Sequence, residues 1–467
     1  MSGIAEVLAR RGNSVTGSDL KESPYTRRLR EAGITVYIGH APDQVGDADR
    51  VVISTAIPKT NPELLQARRR SIPVIPRAAA LAWILQGSRS VAVAGTHGKT
   101  TTTSMTAHVL EALGENPTAL VGGELNDIGS NVAFGRSDLV VAEADESDRS
   151  FLYLRPQAAV VTNIEFDHPD FYSSLDDVVE TFERFVRSLP EDGHLVVCAD
   201  DPSCPKVAAE APCPVTTYGI GSGGLRADIV SPSSYVLFED GEIRGEVELG
   251  VYGRHNVLNS LAAAGVARWL GHQAYEAAIT LQDFGGVRRR FQLKGEQAEV
   301  RVVDDYAHHP TEVAASLAAA RLAGAKRLVA VFQPHLYSRT RLFADEFGRV
   351  LAAGADVAVI TDVIRAHVGG VRAALSAGRW REAQGRPLQC DAADPITPED
   401  VLGFPVVGAV EVGQGGGAAH RQPHPADEVL SKVDDRAAGR RGAGAAGSLD
   451  VRPDVLDPHG FAVARHR

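Results

Sequence analysis

The sequence predicts an α/β chain of three units. These are a truncated Rossmann-like unit, a central P-loop ATPase unit with a mostly parallel sheet, and an incomplete Rossmann-like unit. Three observations predict it. Short apolar runs alternate with helical segments along residues 1–363, the alternation that builds parallel sheets flanked by helices. One such run, Ser90-Val91-Ala92-Val93-Ala94, passes through a glycine turn directly into a Thr-rich helix. The length of 467 residues is enough for about three domains.

The first unit, residues 1–88, opens in a helical segment from Met1 to Arg11. A strand follows, ending at Gly17-Ser18-Asp19, then a charged helix around Tyr25–Ala32 and a strand at Arg50–Ser54. It reads as a Rossmann-like half whose first strand and glycine turn are missing. The first helix is therefore expected to have no strand to pack on. The second unit, residues 89–287, carries strands at 90–94, 138–142, 158–163 and 194–198, with helices at 99–113, 175–188 and 256–269. The third, residues 288–363, runs from the strand Val300–Asp304 to a helix from Thr311. The strand Arg327–Phe332, a helix from Arg339 and the strand Ala355–Thr361 follow. Residues 364–467 are rich in Arg, Ala, Gly and Pro, and Lys432 is the one lysine after Lys326. That stretch reads as a frame-shifted or disordered tail without strand signals. The third unit is expected to stop half built.

Composition narrows the function classes. Apolar residues make up 44% and charged residues 23%, ordinary globular values. A net charge of −11 with no sustained basic run argues against nucleic acid or an anionic membrane as partner. No apolar run approaches membrane-spanning length and no leader pattern opens the chain, so a cytoplasmic location is expected. Cys198, Cys204, Cys213 and Cys390 lack C-x-x-C spacing, which disfavours a zinc site or a disulfide framework.

The chemistry concentrates in a few clusters. Gly95-Thr96-His97-Gly98-Lys99-Thr100-Thr101 has the strand–glycine loop–Lys-Thr–helix form of a phosphate cradle. Backbone N–H groups and the helix N-terminus hold phosphate oxygens. The lysine reaches the terminal phosphates, and the Thr hydroxyl binds Mg2+. Glu143 closes an apolar strand in Glu143-Ala144-Asp145-Glu146-Ser147-Asp148, where a carboxylate can hold Mg2+. His168 follows another strand, in Thr162-Asn163-Ile164-Glu165-Phe166-Asp167-His168-Pro169-Asp170. His255, Asn256 and Asn259 share one face at a helix start; they could read a purine edge or simply cap the helix. The last cluster is Asp304-Asp305-Tyr306-Ala307-His308-His309-Pro310-Thr311-Glu312, with Arg288-Arg289-Arg290-Phe291 upstream.

In this order the clusters resemble the Mur ligases of peptidoglycan synthesis, over roughly residues 1–363. Glu146-Ser147-Asp148, Phe332-Gln333-Pro334-His335, and Ser54-Thr55-Ala56-Ile57 before Asn61-Pro62-Glu63 point to the alanine-adding branch. The resemblance implies an ATP-dependent ligase that joins L-alanine to the carboxylate of UDP-N-acetylmuramate through an acyl phosphate. It implies Lys99 at the γ-phosphate, Thr100 and Glu143 on one Mg2+, and His168 on a second near the substrate carboxylate. It further implies His255 and Asn259 at adenine, Asp305 at the ribose, Tyr306 near the base and Arg290 at the phosphates. Arg339 and His308 would meet substrate from the third unit, and Asp19 and Ser54 the UDP end. The partners implied are these small molecules.

The departures are specific. The family's opening glycine turn is absent, Leu336 stands where some members carry Arg, and Gly415-Gly416-Gly417 is not the family's C-terminal glycine motif. No lysine occurs in residues 151–200, so the carbamylated lysine of sister ligases has no counterpart there. Two rival readings are a murein-peptide ligase acting on the same nucleotide sugar, and a non-catalytic nucleotide-binding product of a damaged gene. On the missing start and aberrant tail, the chain is expected to be an impaired ligase.

Overall fold

The computed structural model describes residues 1–125, 130–297, 300–361 and 363. It also describes short strands at Arg379–Arg381, Gln389–Asp391, Gly408–Glu411 and Phe461–Arg465. The Gly415–Gly417 triplet and most of the predicted tail lie outside the described residues.

The central sheet carries the site. Among the described residues it has ten strands. Its middle runs Val215–Gly219, His194–Cys198, Ala158–Val161, Arg89–Ala94, Leu139–Glu143, Thr118–Leu125, all parallel. The inner four, from His194–Cys198 to Leu139–Glu143, are apolar on both faces, and Val91 to Ala94 are fully buried, as expected where helices cover both sides. Helix Lys99–Ala112 buries a run of hydroxyl residues. It does so because Thr103, Ser104 and Thr106 each donate to the carbonyl one turn back, at 2.8 Å. Six strands go beyond the four predicted: Thr118–Leu125, Ser130–Ala133, Val215–Gly219 and an antiparallel extension of Leu225–Ile229, Ser234–Glu239 and Glu242–Glu248. Polar, glycine or charged residues interrupt each of them, so no continuous apolar run marks them.

Three expectations are corrected. Helix Ser2–Arg10 does pack on a sheet, burying Ile4, Val7 and Leu8. The strand Phe461–Arg465 lies between Ser14–Asp19 and Arg50–Ile53, antiparallel to both. Nor does the third unit stop half built. Its sheet continues through Gly408–Glu411, between Val300–Asp304 and Arg327–Phe332, and through Arg379–Arg381 and Gln389–Asp391 beyond Val357–Ile360. The helix expected from Arg339 is two helices, Tyr337–Leu342 and Ala344–Gly354.

The central core is anchored by aromatics. Helix Leu175–Val186 presents Phe182 and Phe185 to Phe151, with ring centroids at 5.2 and 4.7 Å, all three buried. Phe182→Ala would leave a cavity there and should destabilise the central unit by about 3–5 kcal/mol, seen as a lower urea midpoint.

Candidate active site

The phosphate loop leaves the strand Arg89–Ala94 and enters helix Lys99–Ala112 through two glycines with positive φ, Gly95 at 137° and Gly98 at 81°. A Cβ at Gly95 would collide with the Thr162 hydroxyl, and one at Gly98 would sit 2.8 Å from Asn259 Oδ1. Only glycine permits both the turn and the close packing.

The loop is gripped by the segment after the neighbouring strand, Ala158–Val161. The His97 N–H donates to Asn163 Oδ1 at 2.8 Å, and the Thr96 N–H to the Asn163 carbonyl at 3.0 Å. The His97 carbonyl accepts from Thr162 Oγ1 at 2.6 Å and Asn163 Nδ2 at 3.0 Å. Thr96 Oγ1 accepts from the Glu165 N–H at 2.9 Å.

Lys99 lies over the loop. Its ammonium donates to the Gly95 and Thr96 carbonyls at 2.7 and 3.0 Å and to Glu146 Oε1 at 2.9 Å. Burial alone would lower the lysine's pKa, but Glu146, Asp145 and Glu143 outweigh it and raise it. Burial pushes Glu146 the other way, up to about 7, against the pull of Lys99. Thr100 Oγ1 donates to Glu143 Oε1 at 3.2 Å, and Glu143 Oε2 accepts from the Gly122 N–H at 2.7 Å. A hydroxyl beside a carboxylate at the loop's end is the hard oxygen set that suits Mg2+. His168, at φ 53°, sets Nε2 3.7 Å from Glu146 Oε1 and 3.6 Å from Asp167 Oδ2. Burial lowers its pKa, which favours the neutral, ligating imidazole.

The third unit closes onto this surface. Asp167 takes Arg339 Nε and Nη2 at 2.8 and 2.9 Å, with both residues almost fully buried. Burial would raise the Asp167 pKa, but the arginine holds it far below the usual range. Arg339 is thus spent on Asp167 in this structure. Ser338 donates to Asp170 at 3.0 Å and Thr311 Oγ1 to Glu165 at 2.7 Å. His97 sits between two carboxylates: Nδ1 is 3.3 Å from Glu312 Oε1 and Nε2 is 3.5 Å from Glu165 Oε2. Burial would lower the His97 pKa, yet those carboxylates carry it up to about 9.

The remaining predicted residues are placed as follows. Asn259 Nδ2 donates to Asn256 Oδ1 at 3.2 Å, Thr102 Oγ1 donates to Asn259 Oδ1 at 3.0 Å, and Asn256 Nδ2 donates to the Tyr252 carbonyl at 2.8 Å. Both amides are engaged within the protein, behind the loop. His255, beside them, is pushed down to about 4 by burial and Arg290. Asp305 braces its own unit, accepting from Ser316 Oγ at 2.6 Å, the Ala307 N–H at 2.9 Å and the Phe291 N–H at 3.1 Å. Tyr306 lies against Arg289 at 4.8 Å, Arg290 at 5.6 Å and the His308 ring at 4.8 Å. Arg290 Nη1 is 3.7 Å from Glu312 Oε1. Asp19 and Ser54 stand apart from this cluster, at the C-terminal edge of the first unit's sheet, where open α/β sheets take ligands. Asp19 Oδ1 accepts from the Lys21 N–H at 3.1 Å, and the neighbouring Ser18, His40 and Glu63 form a local network in which Ser18 Oγ donates to Glu63 at 2.7 Å. Glu146, Asp167, Glu165 and Glu312 carry much of the site's geometry without having been assigned roles from sequence. The available signal was their place inside the motif strings.

Family models match three consecutive stretches of the chain. The Mur ligase family catalytic domain matches residues 1–89, the Mur ligase middle domain 93–267, and the Mur ligase glutamate ligase domain 289–391. The last extends past residue 363, where the resemblance in sequence stops. The chain is 74% identical over 365 residues to UDP-N-acetylmuramate–L-alanine ligase of Rubrobacter xylanophilus, across 78% of this chain and 81% of that one. It is 46% identical over 400 residues to the enzyme of that name from Pelotomaculum thermopropionicum, across 83% and 86%. Among solved structures, UDP-N-acetylmuramate–alanine ligase of Thermotoga maritima matches with a TM-score of 0.66 and 32% identity, across 77% and 82%. A murein peptide ligase of Psychrobacter arcticus matches at 0.64 and 26%, with the same coverage. The three consecutive domain matches and the 74% identity agree with the phosphate loop and its carboxylates, and the chain belongs to the Mur ligase family, in its UDP-N-acetylmuramate–L-alanine ligase branch.

Proposed function

We propose that the chain joins L-alanine to UDP-N-acetylmuramate at the expense of ATP, in the cytoplasmic stage of peptidoglycan synthesis. The observation that carries this reading is the loop Gly95–Thr100, with Lys99 over it, Thr100 against Glu143, and His168 near Glu146. A carboxylate oxygen of the sugar attacks the γ-phosphorus of ATP, and the bond to the ADP oxygen breaks. The amine of L-alanine then attacks the acyl carbon, phosphate leaves, and the amine gives up its proton. The Gly98 N–H and those of the first helical turn through Thr101 cradle the phosphates at the glycine turn begun by Gly95, while the Thr96 and His97 N–H groups, bonded to Asn163, hold the loop in shape. Lys99 and Arg290 offset charge on the transferring group. Thr100 and Glu143 would hold one Mg2+ and His168 a second. The ion's contribution is to neutralise phosphate oxygens.

His255, Asn256 and Asn259 stand at the adenine end, Asp305 and Tyr306 near the ribose and base, and Asp19 and Ser54 toward the uridine end. His308 and Arg339 approach the substrate from the third unit, Arg339 while bonded to Asp167. No described helix is long and apolar enough to cross a membrane. The domain boundaries proposed are 1–88, 89–287 and 288–363, with residues beyond 363 adding strands to the first and third sheets.

A murein-peptide ligase has the same architecture, so the acceptor decides. Phosphate release from ATP and UDP-N-acetylmuramate should depend on L-alanine, and dependence on a tripeptide acceptor alone would replace this reading with the other. Lys99→Ala removes a preorganised charge at the phosphoryl group and should cut turnover by about 10²–10³-fold or more; unchanged turnover would remove Lys99 from that role. The site also carries a pH signature. The folded pKa of His97 is raised from 6.5 to about 9, so its stabilisation is full below about 6.5 and is lost as pH rises through about 9. Its contribution is of order 3 kcal/mol at most. Between those pH values the wild-type melting temperature should fall more than that of His97→Gln.

A further inference from the structure

We propose that His97 is a positioning residue: through its contact with Glu312, the C-terminal unit sets the geometry of the phosphate loop. His97 is fixed through its backbone and flanked at its ring. Its N–H and carbonyl are bonded to Asn163 and Thr162, its ring lies 4.6 Å from that of His309, and its two nitrogens face carboxylates of two different units. Both carboxylates are fixed from behind. Glu312 Oε2 accepts from the His308 and His309 N–H groups at 3.0 and 3.3 Å, and Arg290 approaches its other oxygen. Glu165 accepts from Thr311 Oγ1 at 2.7 Å. A closed circuit therefore runs from the loop to Glu312, along the start of helix Pro310–Leu322 to Thr311, through Glu165 and back to the loop. Lys99 lies two residues from His97, so a shift of the helix start moves the residue that faces the phosphates.

Two plainer explanations leave part of this geometry unused. Glu312 caps its helix, but glutamine at the same position would cap equally well, and capping needs no imidazole opposite. Ligand atoms of His97, Glu165 and His309 also lie within 4.8 Å of one another, a spacing open to a metal ion. However, His309 Nδ1, 3.7 Å from Glu165, already accepts from the Thr311 N–H, so that lone pair belongs to the hydrogen-bonded cluster.

The test uses the full chain with Glu312→Gln, His97→Gln and the double substitution. Amide hydrogen exchange is read over residues 95–99 and 308–316, together with kcat and the KM for ATP. Each single change should speed exchange in the loop peptide and lower kcat about tenfold, as loop misplacement costs rate more than binding. The double should be no slower than the slower single, because one contact is lost only once. Faster exchange confined to 308–316 on Glu312→Gln, or single effects that multiply in the double, would overturn the proposal. If Glu312→Gln does not fold, Glu165→Gln removes the other carboxylate without touching the cap and carries the same expectations and the same refutation. The kinetic arm rests on the ligase reading and the exchange arm does not. A wild-type chain without ligase activity would sink that reading and leave loop exchange to judge this one.

Discussion

The buried pair of Asp167 and Arg339 is the constraint on which the site depends. A guanidinium and a carboxylate removed from water lose several kcal/mol of hydration each, and only a two-point fit with short bonds returns it. Their forked geometry allows one orientation of helix Tyr337–Leu342 against the segment 162–170. Leaving either partner alone would cost about 3–5 kcal/mol, so the third unit has one preferred seat on the central one. From that seat the start of helix Pro310–Leu322 falls beside the phosphate loop, and Glu312 and Thr311 meet His97 and Glu165.

The same logic of paired charge runs through the cleft. Lys99 is matched by Glu146, His97 by Glu165 and Glu312, and Arg290 by Glu312. In a buried place an unmatched charge would neutralise itself, as His255 does, pushed down to about 4 by burial and by Arg290. Triphosphate brings negative charge into this arrangement and competes with the carboxylates for the same cations.

Sheet continuity explains how the first and third units hold together. A parallel sheet with a strand missing from its middle would leave two rows of N–H and C=O groups facing each other unpaired. In the first unit Phe461–Arg465 satisfies both rows, and in the third Gly408–Glu411 does so. Both run antiparallel to their neighbours, so each enters its sheet from the opposite end to the parallel strands beside it.

The chemistry-bearing positions were legible in the sequence because they are local. Gly95, Gly98, Lys99 and Thr100 lie within one turn, and Glu143 and His168 each follow an apolar strand whose period is visible in a few residues. The alternation of such strands with helices likewise determined the α/β class and the central unit. The partners of those residues were decided by tertiary structure. Nothing in the local pattern says that Arg339 will be bonded to Asp167, that Asp305 will brace Ser316, or that His97 will lie between Glu165 and Glu312. The place of Phe461–Arg465 beside Ser14–Asp19 was hidden in the same way: a five-residue strand carries almost no pattern of its own. Backbone turns and hydrophobic period are set by neighbours in the chain and can be read there. Ion pairs and strand insertions join residues far apart in sequence, and their desolvation and edge costs are settled only when the sheets and helices have packed.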